Sequence, residues 1–585
     1  MAHVCFMFLG ARPIKTMLAP LRRLAGALLL LAGAGRGASA GAPAPFPVAV
    51  RVDASRALGP MKPIWRFFGA DEPNYATMWD GRKLLTELGE LRPGAVYFRA
   101  HNLLTTGDGT PAYKWGSTNA YTADAAGRPV YDWRILDGIF DSYLQRGIHP
   151  YVEIGFMPKA LSVHPEPYQH HWRPGPGSGP LGTGWSYPPT DYGRWGELVY
   201  QWVRHCVARY GRAEVDRWWW EVWNEANLGA YWHGTPEEFY RLHDVAVAAV
   251  RRALPTARVG GMDAAGDGGA FMDGFLAHVT RGKNYATGRV GTPTDFLSFH
   301  AKGSPAYVDG HVRMGIAAQL RTIDTAFAKI AAIPELRGKP IVIGESDPDG
   351  CAACEGPQLG YRKTPLYASY TAACLGRELA IADRRGVDLE GALTWAFEFE
   401  GQPYFAGQRT LSTNGIDLPV MNVFRMLARM DGGRVEADSS GQVPLDDIER
   451  GGVRGNPDVG ALASLGPGRV SVLIWHYHDD DVPGPDARVS VAISGLPLRA
   501  GRATLTHFRI DGDHSNSFRE WQRLGRPAAP DAGQYASLEK AGKLAMLGGP
   551  SSVEVRGGAA QLAFALPRQA VSLVELRWQG PGSSP

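Results

Sequence analysis

Two glutamates, Glu225 and Glu345, each end an apolar run and precede a loop, the placement expected of carboxyl groups that work as a pair. Glu225 lies in Arg217–Trp232, RWWWEVWNEANLGAYW, directly after the amide of Asn224. Trp218 to Val222 is rich in β-formers and reads as a buried strand. Asn227, Gly229 and Gly234 then loosen the chain into a loop. The second run, Lys339–Glu345 (KPIVIGE), also reads as a buried strand, and Ser346-Asp347-Pro348-Asp349-Gly350 follows as a loop. Two such carboxyls can cleave a glycosidic bond with retention when about 5–5.5 Å apart, one as nucleophile and one as acid and then base. Asn224 is placed to hydrogen-bond a sugar 2-hydroxyl, a contact that strengthens in the transition state. Burial and a neighbouring negative charge are expected to raise the pKa of Glu225, keeping it protonated while Glu345 ionises. The plain alternative for Glu225 is a strand-end salt bridge.

Something must bring two residues 120 positions apart to one place. From about 60 to 431 strand-like and helix-like segments alternate. The strand candidates are Ile64–Phe68, Gly94–His101, His149–Phe156, Trp218–Glu225, Arg258–Met262, Asp295–His300, Pro340–Glu345 and Gly391–Phe397. Amphipathic stretches separate them, among them Tyr192–Tyr210 and Pro236–Ala253. Eight β-then-α units predict a closed (β/α)₈ TIM barrel of the α/β class, with Glu225 ending strand four and Glu345 strand seven. An open doubly wound sheet is the competitor, but it would want a Gly-rich phosphate loop, and none appears. Residues 432–585 carry short alternating segments broken by Gly and Pro and no helix-length periodicity, which predicts an accessory C-terminal β-sandwich. Residues 41–59 read as an N-terminal strand joining it.

The chain has 585 residues, a net charge of +3, 17 Trp and no long runs of charge. Nothing in this calls for nucleic acid or an acidic membrane surface. Residues 1–40 read as a signal peptide: Arg22-Arg23, an apolar run Leu24–Ala34 too short to span a membrane, and Ala38-Ser39-Ala40 as cleavage site, with Met17 a candidate start. Export to the periplasm or beyond is therefore expected. In that setting Cys351 and Cys354 can form a small disulfide; free thiols are the alternative, and zinc would need two further ligands that are absent. No metal or cofactor is expected.

The WEVWNE segment, with Pro150–Pro158 (PYVEIGFMP), Phe299-His300 and Glu345, resembles glycoside hydrolase family 39 across nearly all of the barrel. That resemblance implies a retaining glycosidase with Glu225 as acid/base and Glu345 as nucleophile. It also implies glycone-binding histidines at His101, ending strand two, and His300, in strand six.

Two kinds of sugar compete. His300-Ala301-Lys302-Gly303 resembles the His-x-Lys-Gly of α-L-iduronidases, and Glu345-Ser346-Asp347-Pro348 and Gln408-Arg409-Thr410 echo that branch. A Lys and an Arg are what a uronate carboxylate would want; pairing with Glu398 or Asp347 is the alternative use of Lys302. Gly391–Gly407 and Leu411–Pro419 resemble bacterial β-xylosidases, and Glu398 and Glu400 add negative charge that suits a neutral sugar. Trp232 and His233 are candidates for the aglycone side. The expectation is an exo-acting β-xylosidase on xylo-oligosaccharides. An α-L-iduronidase-like or α-L-arabinosidase activity, and a silent glycan-binding protein, are the alternatives.

Overall fold

The computed structural model describes residues 44–111, 116–169, 181–396 and 400–579. The segment read as a signal peptide and the candidate Glu398 lie outside them. Eight parallel strands occur in the predicted order: β1 (Phe67–Ala70), β2 (Val96–Ala100), β3 (Ile148–Ile154), β4 (Trp219–Val222), β5 (Arg258–Gly260), β6 (Leu297–Lys302), β7 (Pro340–Asp347) and β8 (Asp388–Ala392, continued by Thr394–Trp395). Hydrogen bonding joins β1 through β5 in sequence and β6 through β8 in sequence. A parallel bridge between Ala264 and Phe299 links the two groups. Thr394 and Trp395 pair with Phe68 and Gly69, which brings the last strand back to the first. This circle fits the expected barrel.

A helix follows each strand. Tyr192–Tyr210 and Pro236–Ala253 have the bounds read from the sequence. The second is held at its start by a capping box, with Thr235 accepting from the Glu238 amide and Glu238 reaching back to the Thr235 amide; Pro236 fixes the first turn, and Arg251 and Arg252 sit in the last.

Side chains alternate along each strand, so every second residue enters the ring. Phe67, Tyr97, Tyr151, Trp219 and Phe296 form an aromatic layer, with Phe67 and Tyr97 stacked at 5.0 Å and Trp219 edge-on to Phe296 at 4.9 Å. Two residues further along the strands stand Arg99, Glu153 and Glu221, all fully buried. The intervening residues face the helices: Phe98 meets Tyr143 at 5.1 Å, and Trp220 meets Trp202 at 5.7 Å. An apolar layer beneath a charged one directs polar chemistry to the end of the barrel where strand C-termini lie.

Beyond the barrel the strands form one continuous ten-stranded sheet. Phe46–Pro60 lies inside it, antiparallel to Gly433–Ser439 and parallel to Ala487–Ser494. The two separate facing sheets of a sandwich are not what the hydrogen bonding gives; all ten strands belong to one connected sheet around a second apolar core that includes Val50, Val491 and Val574. The expectation of no helices here is corrected too. Ser517–Arg523 and Ala532–Gly542 are helical, the latter started by a capping box between Asp531 and Gln534. Their apolar faces are weak, so periodicity did not reveal them. The sheet docks on helix Pro365–Arg385, where Arg377 pairs with Asp458 at 2.5 Å and Trp475 donates to the same carboxylate at 2.8 Å. Among the described residues no helix is long and apolar enough to cross a membrane.

Candidate active site

Past the end of β4 the backbone turns sharply. Trp223 and Glu225 adopt left-handed conformations, φ 72° and 45°, as does Asp263 beyond β5 at 41°. Each costs a side-chain-bearing residue about 1–3 kcal/mol, a strain typical of functional sites. The Glu225 amide donates to the Asp263 carbonyl at 2.9 Å, so the two turns support each other. Glu345 comes from β7. Gly344 before it leaves room for Asp263, because a Cβ there would lie 1.9 Å from Oδ1 of Asp263 and something would have to shift.

The two glutamates meet around His300. Its Nδ1 lies 2.8 Å from Oε1 of Glu225 and 3.7 Å from Oε1 of Glu345. Those oxygens are therefore at most about 6.5 Å apart, the sum of the two distances. Nε2 of His300 faces Asp263 Oδ2 at 2.6 Å. Both ring nitrogens thus face carboxyl groups. Burial alone would lower its pKa, but Asp263 and Glu345 outweigh that and push it up to about 10.

Glu345 is surrounded by cations. Lys302 Nζ lies 2.6 Å from its Oε2; His101 Nε2 and Arg99 NH1 lie 3.6 and 3.7 Å from its Oε1. Burial would raise its pKa, yet His300, Lys302 and His101 hold the carboxyl well below the usual range. The carboxyl is therefore held in its ionised form. His101 also faces Glu153 through Nδ1 and Asp71 at 3.5 Å through Nε2, and its ring packs 4.8 Å from that of Trp395. Glu153 overcomes the effect of burial and raises His101 to about 9.

Arg99 is the hub that sequence reasoning passed over. It donates to Glu221 at 2.6 Å, to Asn224 Oδ1 at 3.0 Å and to Asp263, and lies 2.9 Å from Glu153. Tyr151 and Ser298 complete the shell of Glu221 at 2.8 and 2.5 Å. Burial, with Asp263 beside it, raises Glu221 to about 7. The signal was present in FRAH, YVEIG and WEVWN: charged residues at inward positions of otherwise apolar strands must find one another. With its oxygen held by Arg99, the Asn224 amide presents Nδ2, which is buried and has no hydrogen-bond partner among the described residues. That is a donor waiting for a ligand.

Lys302 is shared between Glu345 and Asp347, each at 2.6 Å; of the two carboxylates considered from sequence, Asp347 is a partner and Glu398 lies outside the described residues. Arg409 is buried with NH1 2.6 Å from Asp347 and Nε 3.5 Å from Asp349. Cys351 and Cys354 are joined in a disulfide; Cys206 and Cys374 are free and buried. Trp232 is buried, edge-on to Trp223 at 5.3 Å, with its indole N–H donating to the Thr235 carbonyl. His233 stacks on Tyr187 at 4.4 Å. Among the described residues no group of three or more His, Cys, Asp or Glu is disposed to hold a metal.

A ring of parallel strands bearing an acidic pair and an orphaned amide donor at their C-terminal ends is the frame of a sugar-cleaving enzyme. Residues 48–557 match the model of glycosyl hydrolases family 39, and the chain belongs to that family and is a glycosidase. It is similar to a β-xylosidase of Caldicellulosiruptor saccharolyticus, 25% identical over 502 residues, covering 85% of this chain and 91% of the relative. It is as similar to the α-L-iduronidase of Canis lupus familiaris, 27% identical over 540 residues, covering 84% and 73%. Among solved structures, a family 39 enzyme from Xanthomonas axonopodis pv. citri superposes with a TM-score of 0.71 at 22% identity, covering 91% of this chain and 98% of that one.

Proposed function

We propose that the protein is a retaining exo-β-xylosidase that releases xylose from short xylo-oligosaccharides, with residues 60–431 as its catalytic domain. One observation carries the choice of a neutral sugar over a uronate: the cations expected to greet a uronate carboxylate are already bound by protein. Lys302 is held by two carboxylates and Arg409 by Asp347 and Asp349. A uronate would have to displace one of those charges from a buried pair, which is costly. A neutral glycone asks for hydroxyl partners, and Asn224 Nδ2 supplies one.

In this reading Glu345 attacks the anomeric carbon while Glu225 protonates the departing oxygen. Water then resolves the glycosyl-enzyme, with Glu225 as base. Arg99 and His300 fix Asn224 and Glu225 before the sugar arrives, so little reorganisation is left to the transition state. The bound of about 6.5 Å between the Glu225 and Glu345 oxygens supports retention, since inverting pairs stand about 6.5–9.5 Å apart to admit a water. The disulfide supports an enzyme that works outside the reducing cytoplasm, in keeping with the basic and apolar N-terminal segment.

The second reading is an α-L-iduronidase, favoured by Lys302 itself, whose ammonium has a third donor and a side chain 17% exposed. A panel of 4-nitrophenyl β-D-xyloside, α-L-arabinosides and an α-L-iduronide separates the two. Turnover of the β-xyloside with kcat/KM at least tenfold above the others is expected. A preference for the iduronide overturns the proposal.

A further inference from the structure

Six charges of alternating sign run from the loop after β7 to the reactive pair. Arg362 NH2 donates to Asp349 Oδ1 at 2.8 Å, Asp349 lies 3.5 Å from Arg409, and Arg409 lies 2.6 Å from Asp347. Asp347 and Glu345 then share the Lys302 ammonium at 2.6 Å each. Of the six, only Lys302 keeps more than slight contact with solvent. In such surroundings opposite charges hold one another strongly, and removing one leaves its partner unpaired.

What anchors the far end is unusual for an arginine. The Arg362 guanidinium also donates to the carbonyls of Cys351 (2.6 Å), Ala352 (3.1 Å), Cys354 (2.9 Å) and Gly407 (3.0 Å). It thus gathers the disulfide loop and the segment leading into Arg409 around one rigid fork. The same loop binds Arg409 directly, whose amide donates to the Ala352 carbonyl at 2.7 Å. Asp349 is further held by the Cys351 amide at 3.0 Å and by the Tyr361 hydroxyl.

We infer that Arg362 and the Cys351–Cys354 loop are positioning elements for Glu345, acting through Asp349, Arg409 and Asp347 to keep Lys302 on it. Without the brace Arg409 is free to shift, Asp347 loses its second cation and draws Lys302 to itself, and Glu345 loses its nearest positive neighbour. The inference rests on the reading of Glu345 as nucleophile. The other charged groups facing Glu345 are Arg99 from β2, His101 just past it, His300 from β6 and Asp263 beyond β5. Their own partners are Asp71, Glu153, Glu221, Asn224 and Glu225 and one another, all on the far side of Glu345 from Arg362, Asp349 and Arg409 in the order of contacts. The direct ionic route from the brace to Glu345 is Lys302; Asp347 also accepts from the Trp395 amide at 3.1 Å, and Trp395 packs on His101.

The test compares the full-length protein with Arg362→Met, Arg362→Lys, and Cys351→Ser combined with Cys354→Ser, which removes the crosslink but no charge. The acid limb of kcat/KM against pH and the rate of labelling by a 2-fluoro glycoside are measured on protein shown by circular dichroism to be folded. Arg362→Met should move the acid limb up by roughly half to one pH unit and slow labelling about tenfold. Arg362→Lys should recover part of both, and the serine pair should shift both in the same direction by less. Variants that lose thermal stability but keep the parent's acid limb and labelling rate would mean the brace is merely structural, and the inference fails. If Arg362→Met does not fold, the serine pair alone decides by the same readouts. Peptide mapping of the labelled parent separates the two failures: label on a residue other than Glu345 sinks the functional reading, whereas label on Glu345 with unchanged variants sinks only the brace.

Discussion

Glu225 and Glu345 converge on a single atom, Nδ1 of His300, at 2.8 and 3.7 Å. The imidazole between them ties the geometry of the two carboxyl groups together.

Removing either acid should have a distinct signature. Glu345→Ala is expected to lower kcat by at least about three orders of magnitude on every substrate. Glu225→Ala should retain fast glycosylation by an aryl glycoside with a good leaving group, then stall as the covalent intermediate, seen as a burst and a mass shift on Glu345. Near-normal steady-state turnover of xylobiose by either variant contradicts the assignment.

Asn224→Ala tests the orphaned donor. Its loss should cost about 10²–10³ in kcat/KM on an intact glycoside. The same variant should cost little on the matching 2-deoxy substrate, because the partner hydroxyl is gone. Equal losses on both would mean that the amide only supports Arg99.

The pH dependence of stability follows from the two histidines. Both have folded-state pKa values raised from 6.5, to about 9 for His101 and about 10 for His300. A raised pKa gives stability that is complete below the unfolded value and is lost as pH climbs through the folded one. Urea midpoints should therefore fall between about pH 7 and 10, and His300→Gln should flatten that decline. A parent midpoint constant across the range removes the basis for a charged His300.

Gly344→Ala inserts a methyl 1.9 Å from Asp263 Oδ1. The clash falls on a buried carboxylate, so the variant should lose about 1–3 kcal/mol of stability and at least tenfold in kcat. Parent-like values in a thermal melt and a rate assay would show that the strand end gives way more easily than its packing implies.

Much of the barrel could be read in advance because its strands are apolar runs ended by polar loops, and its helices carry clear starts such as Thr235-Pro236. Glu225 and Glu345 stood out for the same reason: an acid that closes an apolar run is conspicuous. The partners of those acids were less legible. Arg99, Glu153 and Glu221 lie within strands, and only the closing of the ring shows that they face one centre. Arg362 lies in a 3₁₀ turn, Pro357–Lys363, with no periodic signal. Trp232 and His233, read for the aglycone side from their place after Glu225, pack on Trp223 and Tyr187, contacts that no periodic signal announced.

The strand Phe46–Pro60 lies between two strands made some 375 to 440 residues later, Gly433–Ser439 and Ala487–Ser494. During synthesis it emerges before both of them, so its backbone groups meet their final neighbours only after the barrel segment has followed. The C-terminal sheet is thus no detachable appendage: cutting between it and the barrel takes away an inner strand that lies on the other side of the barrel in the sequence.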